Sequence, residues 1–167
     1  TPAPRGLGLS FIYTFKTDIR KIGMTGIFVS AVLPAHKFYT EILGFKTMLL
    51  LPEHLLAVVV SAEQADGASL MLEPDTNRIG KNYQEGLYQA GIPAIVMMST
   101  DIHAEYEQLK AKGVVFKGTP EKTEWGTKPI FDDTCGNLIQ LHQAMSVLLC
   151  RTGKSGRNFY FWCNNMT

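Results

Sequence analysis

The sequence predicts an α+β fold built from two similar βαβββ units, and two observations carry that prediction. One strand, one helix and three strands are predicted in that order over residues 22–73, and the same order recurs over residues 92–143. Matching glycines are also 69 residues apart, with Gly44 and Gly113 each placed to close the helix of its unit. Two units that each leave one sheet face uncovered are expected to pack around a common interior.

The first unit opens with an apolar strand over residues 23–32, which are rich in β-branched and aromatic side chains. Pro34 has the fixed φ that suits a first helical turn, and Gly44 is placed to end that helix. Polar and proline-containing segments separate the strands that follow. Those strands are predicted over residues 45–51, 55–61 and 68–73.

The second unit follows a segment, residues 74–91, whose turn-forming residues predict a linker with a short helix over residues 83–89. A strand is predicted over residues 92–98. Asp101 is placed to cap the next helix, which ends before Gly113. The remaining strands are predicted over residues 114–117, 127–131 and 138–142.

Composition argues against several classes of partner and site. The chain has sixteen Lys and Arg residues and fifteen Asp and Glu residues, so its net charge is close to zero. No overall electrostatic field is therefore expected to attract nucleic acid or an anionic membrane. No apolar run is long enough to span a membrane. The three cysteines are an odd number at no ligand spacing, which argues against a disulfide framework and a zinc site and predicts a cytoplasmic location.

The two ends of the chain match neither unit. Residues 1–21 are interpreted as an N-terminal extension; its apolar stretch, residues 6–15, resembles a signal peptide but lacks a following cleavage pattern. Residues 144–167 form a tail that contains three basic residues, no acidic residue and the aromatic run 158–163. That run is consistent with an added strand, a docking segment at a dimer interface or sheet edge, or read-through sequence.

Four stretches carry a family resemblance: residues 38–45 (FYTEILGF), residues 91–94 (GIPA) leading into Asp101, residues 109–116, and residues 131–141 (FDDTCGNLIQL). Together they resemble the glyoxalase, bleomycin-resistance and extradiol-dioxygenase superfamily, also called the vicinal oxygen chelate fold, over about residues 22–143. The resemblance implies a single domain in which two βαβββ modules pair into a half-open barrel. It also implies a homodimer.

The same resemblance identifies four positions where the metal-dependent members carry ligands, usually His or Glu and sometimes Gln. In this chain those positions hold Met24, Met71, Ala94 and Gln140. Thioethers are too soft for the divalent ions that this fold uses, and an alanine offers no ligand atom. One carboxamide cannot hold a metal alone. No metal site and no cofactor are therefore expected.

The predicted pocket lies between the modules, and no catalytic residue is identified. Glu73 shares the face of Met71, and His142 lies two residues beyond Gln140 on the same face of its strand. His36, His54 and His103 lack a second ligand or a carboxylate at a suitable spacing, and core packing is an alternative role for the apolar members. The nine predicted pocket residues are Met24, Phe28, Met71, Glu73, Ala94, Val96, Met98, Gln140 and His142.

Three functions are consistent with this pattern. The leading interpretation is a metal-free protein that binds a small apolar or aromatic molecule, for sequestration as in the drug-resistance branch of the family. The alternative is a lyase, isomerase or dioxygenase that uses Gln140, His142 or Glu73 with a non-standard metal site or with none. A third is an interaction protein whose tail and helices bind another chain.

Overall fold

The computed structural model describes residues 21–144, which form two β-sheets and three α-helices. The predicted N-terminal extension, apart from Lys21, and the predicted tail beyond Ala144 lie outside the described residues. Within residues 21–144, no helix has the length and apolar character needed to cross a membrane.

The first module consists of four strands and one helix. A π-helical turn, Phe38–Ile42, continues the helix, and Gly44 follows it with φ +78°. Glycine suits this position because residues with a Cβ rarely adopt such a φ. The elements are β1 (Met24–Val29), α1 (Val32–Lys37), β2 (Lys46–Leu51), β3 (Leu56–Val60) and β4 (Ser69–Pro74).

Helix α2 (Arg78–Gln89) joins the modules, and the second module repeats the pattern of the first. Asp101 caps its helix as predicted, because the carboxylate accepts a hydrogen bond from the Ala104 amide at 3.1 Å. Gly113 follows that helix with φ +87°. The elements are β5 (Ile95–Met98), α3 (Ile102–Ala111), β6 (Glu121–Thr123), β7 (Gly126–Lys128), β8 (Ile130–Asp132) and β9 (Leu138–Ala144).

The two sheets have equivalent topologies. The strand order is β1-β4-β3-β2 in the first sheet and β5-β9-β7-β6 in the second, where β8 also pairs with β9. In each sheet the first strand of the module is parallel to the last, and the other pairs are antiparallel. The predicted α+β fold of two βαβββ modules is confirmed.

Two predicted elements differ from the structure for identifiable local reasons. The predicted helix over residues 83–89 begins at Arg78, because the Asn77 side chain accepts a hydrogen bond from the Gly80 amide at 2.7 Å and caps an earlier turn. The predicted strand over residues 127–131 is interrupted at Pro129, which has no N–H for the ladder.

The predicted strand over residues 114–117 is reduced to one bridge, between Phe116 and Phe131. Hydrogen bonds flank that bridge, including one of 2.8 Å from the Lys117 amide to the Ile130 carbonyl. The second strand of the second module is instead β6, which pairs with β7. The sequence does not predict β6, because its residues, Glu-Lys-Thr, lack the apolar alternation of a half-buried strand.

One hydrophobic core lies between the sheets and includes residues of both modules. Helix α1 packs on β3 and β4, while α3 packs on β9. The Phe38 ring, directly after α1, lies 6.3 Å from the Phe131 ring of the second sheet. The helix-bearing sides of the two sheets therefore face each other, and the opposite sides, here called the first and second outer faces, point away from the core.

Candidate functional site

Strand alternation sorts the predicted pocket residues onto the outer faces. In the first sheet Ile27, Val29, Leu70 and Leu72 are buried in the core. Their neighbours along β1 and β4 point to the opposite side, because side chains alternate along a strand. The predicted pocket residues on this first outer face are Met24, Phe28, Met71 and Glu73.

The first outer face is mainly apolar across its four strands. Met71 of β4 pairs with Gly26 of β1 and with Val58 of β3, and Val58 pairs with Leu49 of β2. Met24 and Leu49 are 47% and 41% exposed. Val58 itself is only 3% exposed, so the open part of this face consists of the thioether and aliphatic groups around it, which can adapt to irregular ligands.

Phe28 is only partly exposed on this face because helix α2 packs against it. A Cβ added at Gly80 would lie 2.9 Å from the Phe28 ring, so the ring packs directly beneath the helix backbone. The Gln84 amide nitrogen donates a 2.7 Å hydrogen bond to the Phe28 carbonyl. Phe28 therefore closes one end of the face, while Met24 lies towards the open end.

The second outer face carries four of the other predicted residues. Val96 of β5 pairs with Gln140 of β9, and Met98 pairs with His142. Val96 and Met98 are 55% and 67% exposed, whereas Gln140 and His142 are partly exposed. Ala94 directly precedes β5 and packs against the core, and its amide donates to the Leu138 carbonyl at 2.8 Å. Two polar side chains therefore lie beside two exposed apolar ones on this face.

The two groups of residues do not meet within one chain. They lie on opposite sides of a shared core, so they do not form the single cleft between modules that the sequence predicts. Strands β1 and β5 stand at the ends of their sheets, and neither has a second strand partner among residues 21–144. Each outer face therefore ends at an edge with no strand partner among the described residues, and each presents four of the nine predicted residues.

A separate groove of about 1060 Å³ does lie between the modules. Its walls come from residues 42–45 and 61–64 of the first module and from residues 97–101 and helix α3 of the second. Of the nine predicted residues only Met98 lines it. The buried Ser99 hydroxyl at this groove has no hydrogen-bond partner among the described residues.

The four positions that would hold a metal in this fold are unsuitable in donor chemistry. Gln140 supplies one neutral carboxamide, Met24 and Met71 supply thioethers, and Ala94 supplies none. The register also places Gly26 opposite Met71 and Val96 opposite Gln140, so the paired strands add no ligand beside them. Within residues 21–144 no three His, Cys, Asp or Glu side chains are grouped to hold an ion. The residues at these positions do not fit a divalent metal.

Asp133, in the motif over residues 131–141, connects the two modules through its side chain. Its carboxylate is fully buried and accepts four hydrogen bonds. The backbone amides of Cys135 and Asn137 donate at 2.8 and 2.9 Å, and the Asn137 side chain and the Tyr39 hydroxyl donate at 2.9 and 3.2 Å. Because Tyr39 belongs to the first module, Asp133 joins the two modules.

Burial raises the pKa values of the three titratable groups in this buried turn and at its contact with the first module. Desolvation is the main factor that raises the pKa values of Tyr39 and Asp133 above their ordinary values. Desolvation, helped by the nearby Asp133 carboxylate, also raises the pKa of Cys135 to about 11. A thiol of this pKa is largely protonated near neutral pH and is a poor nucleophile.

The family assignment follows from comparison with known proteins. A family model described as the Glyoxalase/Bleomycin resistance protein/Dioxygenase superfamily matches residues 21–141. The chain belongs to this superfamily. The match covers both modules, and the superfamily is the one that the sequence motifs indicated.

Individual relatives agree with this assignment. The uncharacterised protein YurT of Bacillus subtilis (strain 168) is 42% identical over 125 residues, which cover 74% of this chain and 98% of YurT. TnmS3, an antibiotic binding protein from Streptomyces sp. CB03234, is 26% identical with a TM-score of 0.58, covering 76% of this chain and 98% of TnmS3. A superfamily member from Sphaerobacter thermophilus DSM 20745 is 25% identical with a TM-score of 0.57, covering 75% of this chain and 98% of that protein.

Proposed function

We propose that the protein is a homodimer that binds a small apolar or aromatic molecule without a metal, and that its role is sequestration. In this proposal the first outer face of one chain and the second outer face of its partner form each binding cup. The observation that carries the proposal is the pair of half-sites, each largely apolar, exposed and bordered by an unpaired strand edge. A cytoplasmic location remains a prediction from the cysteine content.

The strand edges support the dimer. An edge strand has a row of unpaired N–H and C=O groups, which favours pairing with another strand. When β1 of one chain pairs with β5 of the other, two-fold symmetry forms the reciprocal pair as well. Both outer faces then line one continuous sheet, and the apolar side chains of Met24, Val96 and Met98 become covered. The proposed dimer therefore accounts for their exposure in the single chain.

The chemistry of the faces supports a binding role. Thioether and aliphatic groups supply an adaptable apolar surface, and Gln140 and His142 supply hydrogen bonds at one side of the cup. The superfamily relative TnmS3 is an antibiotic binding protein, and its likeness to this chain supports the same class of activity. Lewis-acid catalysis, the basis of the enzymatic alternative, requires ligands that the four metal positions do not supply.

The dimer is tested by solution mass. Val96→Asp places a carboxylate at the proposed strand junction, where burial without a partner is unfavourable. We expect the dimer dissociation constant to rise about 100-fold, equivalent to about 2.7 kcal/mol. Val115→Asp is the matched control, because Val115 is 59% exposed at a position outside both outer faces. A wild-type chain that stays monomeric at high concentration would contradict the proposal.

Ligand binding is tested by thermal shift with a panel of aromatic and apolar compounds, together with elemental analysis of protein purified without chelator. A ligand that binds only the folded state raises the unfolding temperature. We expect this rise to disappear in Val96→Asp, because the cup needs two chains, and to persist in Val115→Asp. Stoichiometric nickel, zinc, iron or manganese in the wild-type protein would favour the enzymatic alternative instead.

A further inference from the structure

We propose that Glu73 selects ligands that carry a protonated amine, so that the bound class is an apolar or aromatic cation. This inference rests on the proposed function, because it concerns the ligand of the same cup.

The Glu73 carboxylate lies flat over the first outer face. A Cβ added at Gly26 would lie 2.6 Å from Glu73 Oε1 and 3.6 Å from the terminal methyl of Met71. The carboxylate therefore occupies the space above Gly26 that a side chain there would fill. Glu73 lies two register positions beyond this glycine, opposite Phe28, so its side chain folds back along the strand instead of extending away from the sheet.

The surface around this carboxylate is apolar and supplies no counter-charge. Within residues 21–144 Glu73 has no hydrogen bond or ion pair to another side chain. Met71 and Phe28 are its neighbours on the face, and Lys46 lies on β2 at the opposite edge of the sheet. Among the described residues no donor reaches this carboxylate, and it lies where the proposed ligand would cover it.

This arrangement discriminates by charge. A neutral ligand that covers Glu73 removes water from the carboxylate without supplying a compensating charge, and this desolvation is unfavourable. A ligand with an ammonium group replaces that water with a charge-assisted hydrogen bond, while its apolar part covers Met71. The site therefore rejects neutral analogues as well as attracting cations, and both effects contribute to specificity.

Two matched probes test the inference: 2-(1-naphthyl)ethylamine, which is a cation at neutral pH, and the neutral 2-(1-naphthyl)ethanol. Their dissociation constants are measured by fluorescence with the wild-type dimer and with Glu73→Gln. We expect the wild type to prefer the amine about tenfold and Glu73→Gln to lose that preference, with alcohol affinity unchanged or improved. Added salt should weaken amine binding to the wild type only.

Two further variants separate position from charge. Gly26→Ala keeps the carboxylate but displaces it, and the backbone at Gly26 does not have a positive φ that would strain alanine; we expect it to reduce amine preference. Glu107→Gln removes the same charge from the exposed face of α3 and should leave the preference intact. Circular dichroism confirms that each variant is folded.

The outcomes distinguish this inference from the function it rests on. Equal binding of both probes, unchanged in Glu73→Gln, overturns charge selection and leaves small-molecule binding in place. The absence of binding by either probe counts against both proposals. An amine preference that survives Glu73→Gln but falls in Glu107→Gln also overturns the assignment, because the preference would then reflect overall charge.

Discussion

The turns that precede the last strand of each module occupy equivalent places in the repeat but differ in what they contact. In the first module this turn, residues 61–68, is largely exposed and is closed by a 2.9 Å hydrogen bond from the Gly67 amide to the Gln64 carbonyl. In the second module it is residues 133–137, and Asp133, Cys135 and Asn137 are buried. The first turn is largely exposed and its residues 61–64 line the groove between the modules, whereas the second turn is buried against the first module.

The buried turn fastens the modules through several hydrogen bonds. The Ser30 amide donates to the Cys135 carbonyl at 2.9 Å, and the Asn137 side chain donates to the Phe28 carbonyl at 2.9 Å. Gln84 of α2 donates to the carbonyls of both Phe28 and Cys135. The repeat is therefore symmetric in strand order and asymmetric in the contacts that hold it together.

The largest expected difference between the turns comes from deleting their carboxylates. Asp133→Ala leaves four buried donors without an acceptor, and we expect it to lower the free energy of unfolding by about 3–5 kcal/mol. Asp66→Ala, in the exposed turn, should behave like the wild type. Urea denaturation measures both. Equal effects of the two substitutions would show that the buried turn does not fasten the modules.

The second test removes the link from α2 to the same turn. Gln84→Ala leaves the carbonyls of Phe28 and Cys135 without this donor, and we expect a loss of about 2 kcal/mol in the free energy of unfolding. Gln89→Ala is the control, because Gln89 is exposed in the last turn of the same helix. Both substitutions replace Gln with Ala in the same helix, so they change its intrinsic helix propensity by nearly the same amount. If both variants lose the same stability, the Gln84 hydrogen bonds make no net contribution.

A smaller effect is expected from Tyr39→Phe, which removes one of the four donors to Asp133 and keeps the ring. Because this hydrogen bond joins the modules at a buried carboxylate, we expect a loss of about 1.5 kcal/mol. Tyr83→Phe is the control on an exposed side chain. Thermal unfolding with both variants decides whether the hydroxyl stabilises the fold, and an unchanged midpoint in Tyr39→Phe would contradict this.

The sequence predicts an element well where local residue preferences and tertiary structure favour the same conformation. Helix ends at Gly44 and Gly113 and the Asp101 cap were predicted because backbone geometry restricts which residues suit those positions. The strand break at Pro129 was missed, although proline carries that signal itself. Strand β6 was missed because an edge strand of polar residues has no periodic apolar pattern.

The candidate site was harder to predict because it depends on how the modules face each other. Alternation along β1, β4, β5 and β9 predicts which side chains share a face of their sheet. It contains no information about whether two such faces point towards one cavity. The contact of Phe38 with Phe131 decides that question, and such contacts between distant segments cannot be derived from local periodicity. The same holds for Asp133, whose partner Tyr39 is 94 residues away.

The smallest expected effect concerns pH and the charge of Asp133. Burial raises the pKa of Asp133 above its ordinary value of 3.8, although hydrogen bonds from Asn137, Cys135 and Tyr39 oppose that rise. The folded state therefore holds this proton more tightly than the unfolded chain does. The resulting stabilisation is fully present below the unfolded pKa and is lost as pH rises through the folded pKa.

Asp133→Asn isolates this contribution, because asparagine has a similar shape and does not titrate. The difference in the free energy of unfolding, wild type minus Asp133→Asn, should fall as pH rises from below 3.8 and become constant above the folded pKa of Asp133. Urea denaturation across that range measures it, with Asp66→Asn as the control in the exposed turn. If the difference rises with pH instead, the four hydrogen bonds outweigh desolvation, and the buried turn holds the modules with an ionised carboxylate whose pKa is lowered by folding.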